Sequence, residues 1–358
     1  MGWPYLLAPL IPVAVVLDLL GAPAAAVFGT SALGIVPTAA LMGRATEELA
    51  ARSGPGIGGL LNVTFGNAPE LIIALFALGQ GLHQVVKASI VGSIVGNMLL
   101  VLGAAMLAGG IGRDKQHYNR AGAAIQTTML MLAAGALIMP AIFELVEGKG
   151  LPRPGAESVH YGGTVEHLSL AVAIVLLVTY VVGLFFSLKT HRDLFNPEYE
   201  DEDSWGWSVR TSVIALAIAG VLVGVMSEVL VGSITEASES VGLSQFFIGV
   251  IVVAIVGNAA EHWVAVLVSI KDKMDLAVNI AVGSSAQVAL FVAPVLVIAS
   301  FFIGPEPLAL VFNGFELGAI LLAILVGNHV TADGESTWFE GVQLLALYFV
   351  FALAFYFA

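Results

Sequence analysis

Long apolar blocks, each about the length of one bilayer crossing, dominate this chain of 358 residues. A transmembrane helix needs about 20 apolar residues, and the blocks between charged clusters leave room for about eleven such helices. Hydrophobic residues make up 58% of the chain and charged residues only 11%. Soluble domains carry about 25% charged residues, so an ordinary water-soluble enzyme is excluded. The sequence predicts an all-α polytopic membrane protein.

The loops between the predicted helices are asymmetric in basic residues. Breaks at charges, glycines and prolines place the spans at 4–20, 23–45, 56–80, 84–111, 119–144, 164–189, 208–231, 243–270, 274–303, 306–327 and 338–357. If the N-terminus is cytoplasmic, ten basic residues lie in inner loops and three, namely Lys87, Lys149 and Arg153, lie in outer loops. We therefore expect a cytoplasmic N-terminus. No organellar targeting segment is evident, so a prokaryotic plasma membrane is the simplest location.

Two short motifs recur at one offset of 191 residues. GNAPE at 66–70 matches GNAAE at 257–261, and VGS at 91–93 matches VGS at 282–284. Two motifs at one offset indicate a duplication. Each copy holds five spans, and an odd number makes the second copy enter the membrane from the opposite side, as in many secondary transporters. The predicted organisation is an extra N-terminal helix (1–22), a first five-helix repeat (23–190), an acidic cytoplasmic linker (191–207) and a second, inverted repeat (208–358).

Glu70 and Glu261 lie well inside apolar spans, where a carboxylate usually marks an ion or proton path. Asn67 and Asn258 precede them by three residues and share their helix faces. Carboxylate and amide oxygens suit a hard cation such as Ca²⁺, which takes six to eight oxygen ligands. The same carboxylates can carry protons when no metal is bound.

Four further polar residues lie in the spans that follow the two carboxylates and are candidate metal ligands: Ser93, Asn97, Ser284 and Gln287. For the serines and Asn97, helix packing or bonding to their own helix explains the residue type equally well. A buried glutamate can also simply bridge two helices, although two copies at matching depth disfavour that reading.

Other acidic residues are candidates for attracting or gating cations. Glu48 and Glu239 fall near span ends on opposite sides, and Glu228 lies close to the outer end. The linker holds a run of five acids: Glu198, Glu200, Asp201, Glu202 and Asp203. Such a run is either a cation-collecting or regulatory patch or an ordinary solvated linker. His262 points about 100° away from Glu261 on a helix, so we expect it to bond a neighbouring helix.

Several motifs resemble those of the calcium/proton antiporters of the calcium/cation exchanger superfamily. They are the two GNAxE segments, KASIVGS at 87–93, NMLLVLG at 97–103, GSSAQ at 283–287 and DGES at 333–336. The resemblance implies an eleven-helix fold with inverted repeats, Ca²⁺ bound through Glu70 and Glu261, and Asn67 and Asn258 close to the ion path. It also implies proton-driven export of Ca²⁺ from the cytoplasm. The GNAxE and GSSxQ patterns are more similar to the proton-coupled branch than to the sodium-coupled one.

The functional alternatives are a sodium- or potassium-coupled calcium exchanger of the same fold and, less favoured by the repeat, a cation channel. An intramembrane enzyme is disfavoured because no HExxH motif or nucleophile and base pair is present. The expected partners are Ca²⁺, H⁺ and the lipid bilayer, with Ca²⁺ as transported substrate and no cofactor. The net charge of −13 disfavours nucleic acid. The oligomeric state stays open, and a homo-oligomer is compatible with the sequence.

Overall fold

The computed structural model describes residues 2–53, 58, 60–61, 64–154, 163–190 and 206–358. These residues are almost entirely helical. The helices are α1 (Trp3–Leu19), α2 (Ala24–Arg52), α3 (Ala68–Gly79), α4 (His83–Gly110), α5 (Arg120–Val146), α6 (Gly163–Thr190), α7 (Val209–Val241), α8 (Gln245–Gly257), α9 (Ala259–Ile270), α10 (Met274–Ser300), α11 (Gly314–Val330) and α12 (Trp338–Phe357). Two short strands, β1 (Gln116–His117) and β2 (Glu335–Ser336), pair antiparallel.

The helices have the length and apolarity of membrane spans. Among the described residues, seven are long and apolar enough to cross a bilayer, and the bent pair of α8 and α9 passes the same test together. The shorter apolar helices are α1, α3 and α11. This confirms the predicted helical, integral membrane class, while the count of eleven crossings stays a prediction.

The helix bounds follow the offset found in the sequence. Helix α3 runs from Ala68 to Gly79 and α9 from Ala259 to Ile270, so both ends lie 191 residues apart. Helices α4 and α10 also begin 191 residues apart. Each contains a π-helical turn after its VGS motif, at Gly96–Val101 in α4 and at Val288–Val292 in α10. The two segments of the chain thus share local structure as well as motifs, and π-helical turns are frequent at functional sites.

The predicted span 306–327 begins later than its apolar composition suggests. Helix α11 starts at Gly314, and residues 307–313 before it carry no regular structure. Leu308 through Phe312 are nevertheless fully buried. Five consecutive apolar residues cannot be told from a helical segment by composition alone, which is why the sequence predicted a helix here.

Side chains satisfy the backbone of this buried extended segment. The Leu308 amide donates to the Ser300 hydroxyl at 2.7 Å, and the Lys87 ammonium donates to the Val311 carbonyl at 2.7 Å. Irregular backbone at membrane depth needs such internal partners. Lys87, counted above with the outer loops, is therefore buried inside the helical core at 1% exposure. Lys149 and Arg153 are then the two basic residues left in the loops predicted to lie outside.

Candidate cation-binding site

The two glutamates stand in the first turns of helices that begin at matching asparagines. Helix α3 starts directly after Asn67 and helix α9 directly after Asn258, and both asparagines leave helical geometry, with φ of −92° and −108°. The axes of α8 and α9 differ by 59° across Asn258. Glu70 and Glu261 thus lie at helix N-termini, where the free backbone N–H groups favour negative charge. Both motifs thus begin a helix directly after their asparagine, although only the first contains a proline.

Glu70 is buried at the point where the two motifs cross. Its side chain is enclosed, with 1% of the residue exposed, and its Oε2 atom lies 3.5 Å from the Asn258 amide nitrogen. The same amide donates to the Ser93 hydroxyl at 3.0 Å. A Cβ atom on Gly257 would lie 3.5 Å from the Cα of Glu70. The second GNAxE motif therefore packs directly against the first carboxylate.

Glu261 has a simpler environment. The Ser284 hydroxyl donates to its Oε2 atom at 2.6 Å. Glu261 keeps partial exposure where Glu70 is fully buried. The motif that holds Glu261 packs through Gly257 and Asn258 against Glu70. The structure thus brings the two motifs together, with Ser93 beside Asn258 and Ser284 beside Glu261.

Three buried oxygen atoms at this site have no hydrogen-bond partner among the described residues. They are Oδ1 of Asn67, Oε1 of Glu70 and Oδ1 of Asn258. Buried polar atoms nearly always have a partner. The two amide oxygens are acceptors only, and so is the Glu70 oxygen when the carboxylate is ionised. They are oxygens of the type that Ca²⁺ binds, so a dehydrated cation placed here would pair with the atoms that the described residues leave unpaired.

Gln287 and Asn97 contact polar side chains at the site, but their carbonyl oxygens already accept hydrogen bonds. The Asn67 amide donates to Gln287 Oε1 at 2.6 Å, and His262 Nε2 lies 3.1 Å from Asn97 Oδ1. The expected bond of His262 to a neighbouring helix is confirmed. The arrangement is asymmetric between the copies, because Asn258 reaches Glu70 whereas Asn67 is turned towards Gln287.

The acidic residues predicted near the entrances have different surroundings. Glu48 is buried, 2.9 Å from Arg44, and also accepts the Trp207 backbone N–H at 3.1 Å. Its carboxylate is thus held in an ion pair rather than presented to solvent. Glu228 and Glu239 are exposed on α7. The linker acids Glu198, Glu200, Asp201, Glu202 and Asp203 lie outside the described residues.

Comparison with known proteins decides the family. The sodium/calcium exchanger protein family matches residues 23–189 and 211–357, which is most of the chain. The chain belongs to this family. The resemblance to the calcium/cation exchanger superfamily is thereby confirmed.

Two bacterial relatives are more than 40% identical to this chain. A Ca²⁺/H⁺ antiporter of Aphanothece halophytica is 45% identical over 351 residues, covering 92% of this chain and 90% of the relative. The Ca²⁺/H⁺ antiporter ChaA of Bacillus subtilis is 42% identical over 356 residues, covering 98% and 97%. Both matches run through the segments that hold the two GNAxE motifs.

Solved structures of the superfamily have the same fold. Native YfkE matches with a TM-score of 0.83 and 40% identity, covering 99% of this chain and all of that one. The H⁺/Ca²⁺ exchanger CAX matches with a TM-score of 0.73 over 98% of this chain and 87% of its own, at 16% identity. The second match bears on the fold alone.

Proposed function

We propose that this protein is a calcium/proton antiporter that exchanges Ca²⁺ for protons by alternating access at a site between Glu70 and Glu261. The observation that carries the proposal is the set of buried, unpartnered oxygens on Asn67, Glu70 and Asn258 at the crossing of the two motifs. The relatives from Aphanothece halophytica and Bacillus subtilis are named Ca²⁺/H⁺ antiporters, which supports this pair of ions.

The proposed architecture is an extra N-terminal helix followed by two inverted five-helix repeats, eleven spans in all. The recurrence of helix bounds at the sequence offset supports the duplication. An inverted pair places the substrate site near the membrane midplane, at broken helices, which agrees with the breaks at Asn67 and Asn258. The proposed orientation has the N-terminus in the cytoplasm of a prokaryotic cell.

Each polar residue has a proposed role. Glu70 and Glu261 bind Ca²⁺ and carry protons when it is absent, and the free amide oxygens of Asn67 and Asn258 complete the oxygen set. The hydroxyl of Ser284 fixes the orientation of Glu261. Ser93 does the same for Asn258. Gln287 positions Asn67, and Asn97 positions His262. Each of the two contacts the ion only if its present hydrogen bond is replaced by a bond to the ion.

The transport cycle follows from charge. Two deprotonated carboxylates neutralise one Ca²⁺ ion, and two protons neutralise the same pair in the return step. Cytoplasmic Ca²⁺ displaces the protons, the helices rearrange, and external protons displace Ca²⁺ on the other side. One Ca²⁺ then moves outward for about two protons inward.

A sodium- or potassium-coupled exchanger is the second candidate, because the description of the matching family names sodium as well as calcium. Extra monovalent sites need more oxygen ligands than one divalent site. Among the described residues, no group of three or more His, Cys, Asp or Glu side chains lies together where it can hold a metal. Proton coupling needs only the two carboxylates present.

The experiment is Ca²⁺ uptake into proteoliposomes at matched membrane potential, driven either by an acid interior or by an internal Na⁺ load. We expect uptake with the pH gradient alone, and no uptake in Glu70→Gln or Glu261→Gln. Glu147→Gln, an exposed glutamate at the end of α5, is the matched control and should transport normally. Uptake driven only by Na⁺ would establish the second candidate, and normal transport by both site variants would remove the site from the mechanism.

A further inference from the structure

Helix α9 ends in a turn that usually contains glycine. The Lys273 N–H donates to the Val268 carbonyl at 2.9 Å and the Asp272 N–H to the Ser269 carbonyl at 3.0 Å, which are the two bonds of a Schellman motif. Asp272 occupies the left-handed position of this motif, with φ of 62°, and is the only non-glycine residue with a positive φ among those described. Glycine adopts this conformation at lower cost because it has no Cβ atom. The backbone alone thus gives no reason for an aspartate here.

The matching turn in the first copy does contain glycine. Helix α3 ends with the same two bonds, from the Leu82 N–H to the Ala77 carbonyl at 2.9 Å and from the Gly81 N–H to the Leu78 carbonyl at 3.0 Å. Gly81 lies 191 residues before Asp272 and has φ of 73°. One turn is therefore built with glycine in one copy and with aspartate in the other, so the two turns differ in the side chain.

The Asp272 carboxylate joins two side chains of the loop that follows α4. Its Oδ1 atom accepts the Gln116 side-chain amide at 2.9 Å and lies 3.6 Å from Arg113 Nε. Gln116 is 1% exposed and also donates to the Ser269 carbonyl at 3.0 Å, while Arg113 donates to the Ile270 carbonyl at 3.0 Å. Carbonyl groups in the last turn of a helix lack partners within that helix. We call Arg113, Gln116 and Asp272 the α9 anchor.

The first copy has no polar side chain at the corresponding loop positions. Gly304 stands 191 residues after Arg113, and Pro307 stands 191 residues after Gln116. The end of α3 packs closely on this glycine, because a Cβ atom on Gly304 would lie 2.5 Å from the Leu78 carbonyl oxygen. All three anchor residues are thus replaced together in the other copy. The polar anchor belongs to the copy that holds Glu261.

The anchor stands on a fixed support. Gln116 belongs to β1, which pairs with β2 directly before α12. A Cβ atom on Gly109 of α4 would lie 2.7 Å from the Ser269 carbonyl oxygen, so the ends of α4 and α9 are in close contact. Helix α9 bends away from α8 by 59° at Asn258, so its alignment is not inherited from α8. Because a helix is a rigid element, a slide or axial rotation of its last turn also moves Glu261 in its first turn.

We propose that Arg113, Gln116 and Asp272 are positioning residues for Ca²⁺ binding, which hold the last turn of α9 and thereby keep Glu261 in its place in the site. The inference rests on the proposed function, in which Glu261 binds Ca²⁺. It accounts for an aspartate in a left-handed turn where the other copy uses glycine. It also assigns a role to three residues that lie a whole helix away from the ion.

The first test is Asp272→Gly, which gives the second copy the residue of the first. Glycine suits this turn, so the variant should fold, and a residue needed only for the turn would leave Ca²⁺ affinity unchanged. We expect the Kd for ⁴⁵Ca²⁺, measured by equilibrium binding to the purified protein in detergent, to rise by about tenfold, as is typical when a residue that orients a metal ligand is lost. Asp272→Asn keeps an acceptor for Gln116 but loses the charge beside Arg113, and its Kd should lie between the two.

The matched control is Asp114→Asn. Asp114 is an exposed residue next to Arg113, so the control removes the same charge from the same surface but leaves the anchor intact. Its Kd should equal that of the wild type, and a rise as large as in Asp272→Asn would assign the effect to surface charge and overturn the inference. Arg113→Gln and Asp272→Gly break one network, so the double variant should raise the Kd no further than the larger single effect. Fully additive effects would show that the two residues do not act through a common contact.

Hydrogen–deuterium exchange tests the anchor without Ca²⁺. In Asp272→Gly, the backbone amides of α9 should exchange faster than in the wild type, because the last turn of the helix has lost its hold. The amides of α3, which ends on glycine, should exchange at the wild-type rate. An unchanged rate in α9 would show that the three residues do not fix this helix.

The outcomes separate the inference from the proposed function. A wild-type protein that exchanges no Ca²⁺ for protons in proteoliposomes would refute the function, whereas ⁴⁵Ca²⁺ binding and amide exchange decide the role of the anchor without ion flux. Proton-driven uptake by the wild type, together with wild-type Ca²⁺ affinity in Asp272→Gly, would overturn the inference alone.

Discussion

The buried ammonium of Lys87 gives the sharpest stability prediction. Lys87 is 1% exposed, donates to the Val311 carbonyl at 2.7 Å, and its charge interacts with that of the buried Glu316. Replacing it by methionine leaves a buried carboxylate without its counter-charge and a buried carbonyl without its donor. Removing one partner of a buried pair costs about 3–5 kcal/mol. We therefore expect Lys87→Met to lower the melting temperature strongly.

Neutralising both charges should recover most of this loss. Glu316→Gln keeps an oxygen that can accept the hydrogen bond of the Asn313 backbone N–H, which is 2.7 Å long in the wild type. The double variant with Lys87→Met therefore removes both buried charges of this pair. Replacing a whole buried pair by neutral groups is often close to neutral in free energy. The double variant should melt nearer to the wild type than Lys87→Met alone does.

Thermal unfolding in detergent, followed by the fluorescence of the five tryptophans, measures these differences. The control is Lys115→Met, because the side chains of Lys115 and Glu335 are both largely exposed and lie 2.8 Å apart; an exposed pair contributes about 0–1 kcal/mol. If Lys87→Met melts at the same temperature as Lys115→Met, or if the double variant is less stable than both single variants, the reasoning about the buried pair is wrong.

Two further predictions concern the site and the strand pair. Ser284→Ala removes the hydroxyl that donates to Glu261 at 2.6 Å. A bond to a charged group contributes about 1.5–3 kcal/mol, so ⁴⁵Ca²⁺ binding should weaken by about tenfold to a hundredfold. Unchanged affinity would show that Ser284 does not position the carboxylate. Glu335→Gln breaks the exposed ion pair with Lys115, whose N···O distance is 2.8 Å. It should change the free energy of unfolding by less than about 1 kcal/mol. A large fall in melting temperature in the same assay would contradict that expectation.

The sequence predicted the features that depend on residue type and spacing. Apolar length predicted a polytopic helical protein, and the recurrence of GNAxE singled out Glu70 and Glu261, whose motifs pack against each other. The bond of His262 to another helix followed from its position next to Glu261. The assignment of the two glutamates to ion binding stays a prediction, made because a carboxylate in an apolar span has few alternative explanations.

Features that depend on contacts between distant segments were not predictable. Nothing local distinguishes the extended stretch from Leu308 to Phe312 from a helix, since its backbone partners come from side chains elsewhere in the chain. Lys87 looked like a loop residue because its partners lie on a segment more than 200 positions away. The contact of Asn258 with Glu70 depends on how the two motifs pack against each other. The spacing of residues within either motif does not specify that packing.

The central claim is that one pair of carboxylates carries either Ca²⁺ or protons. The direct measurement is the number of protons released when Ca²⁺ binds to the purified protein in weakly buffered detergent solution, at a pH where the empty site is protonated. We predict about two protons per Ca²⁺ for the wild type and for Glu147→Gln. The double variant Glu70→Gln with Glu261→Gln should release none. Calcium binding with undiminished proton release in the double variant would contradict the account.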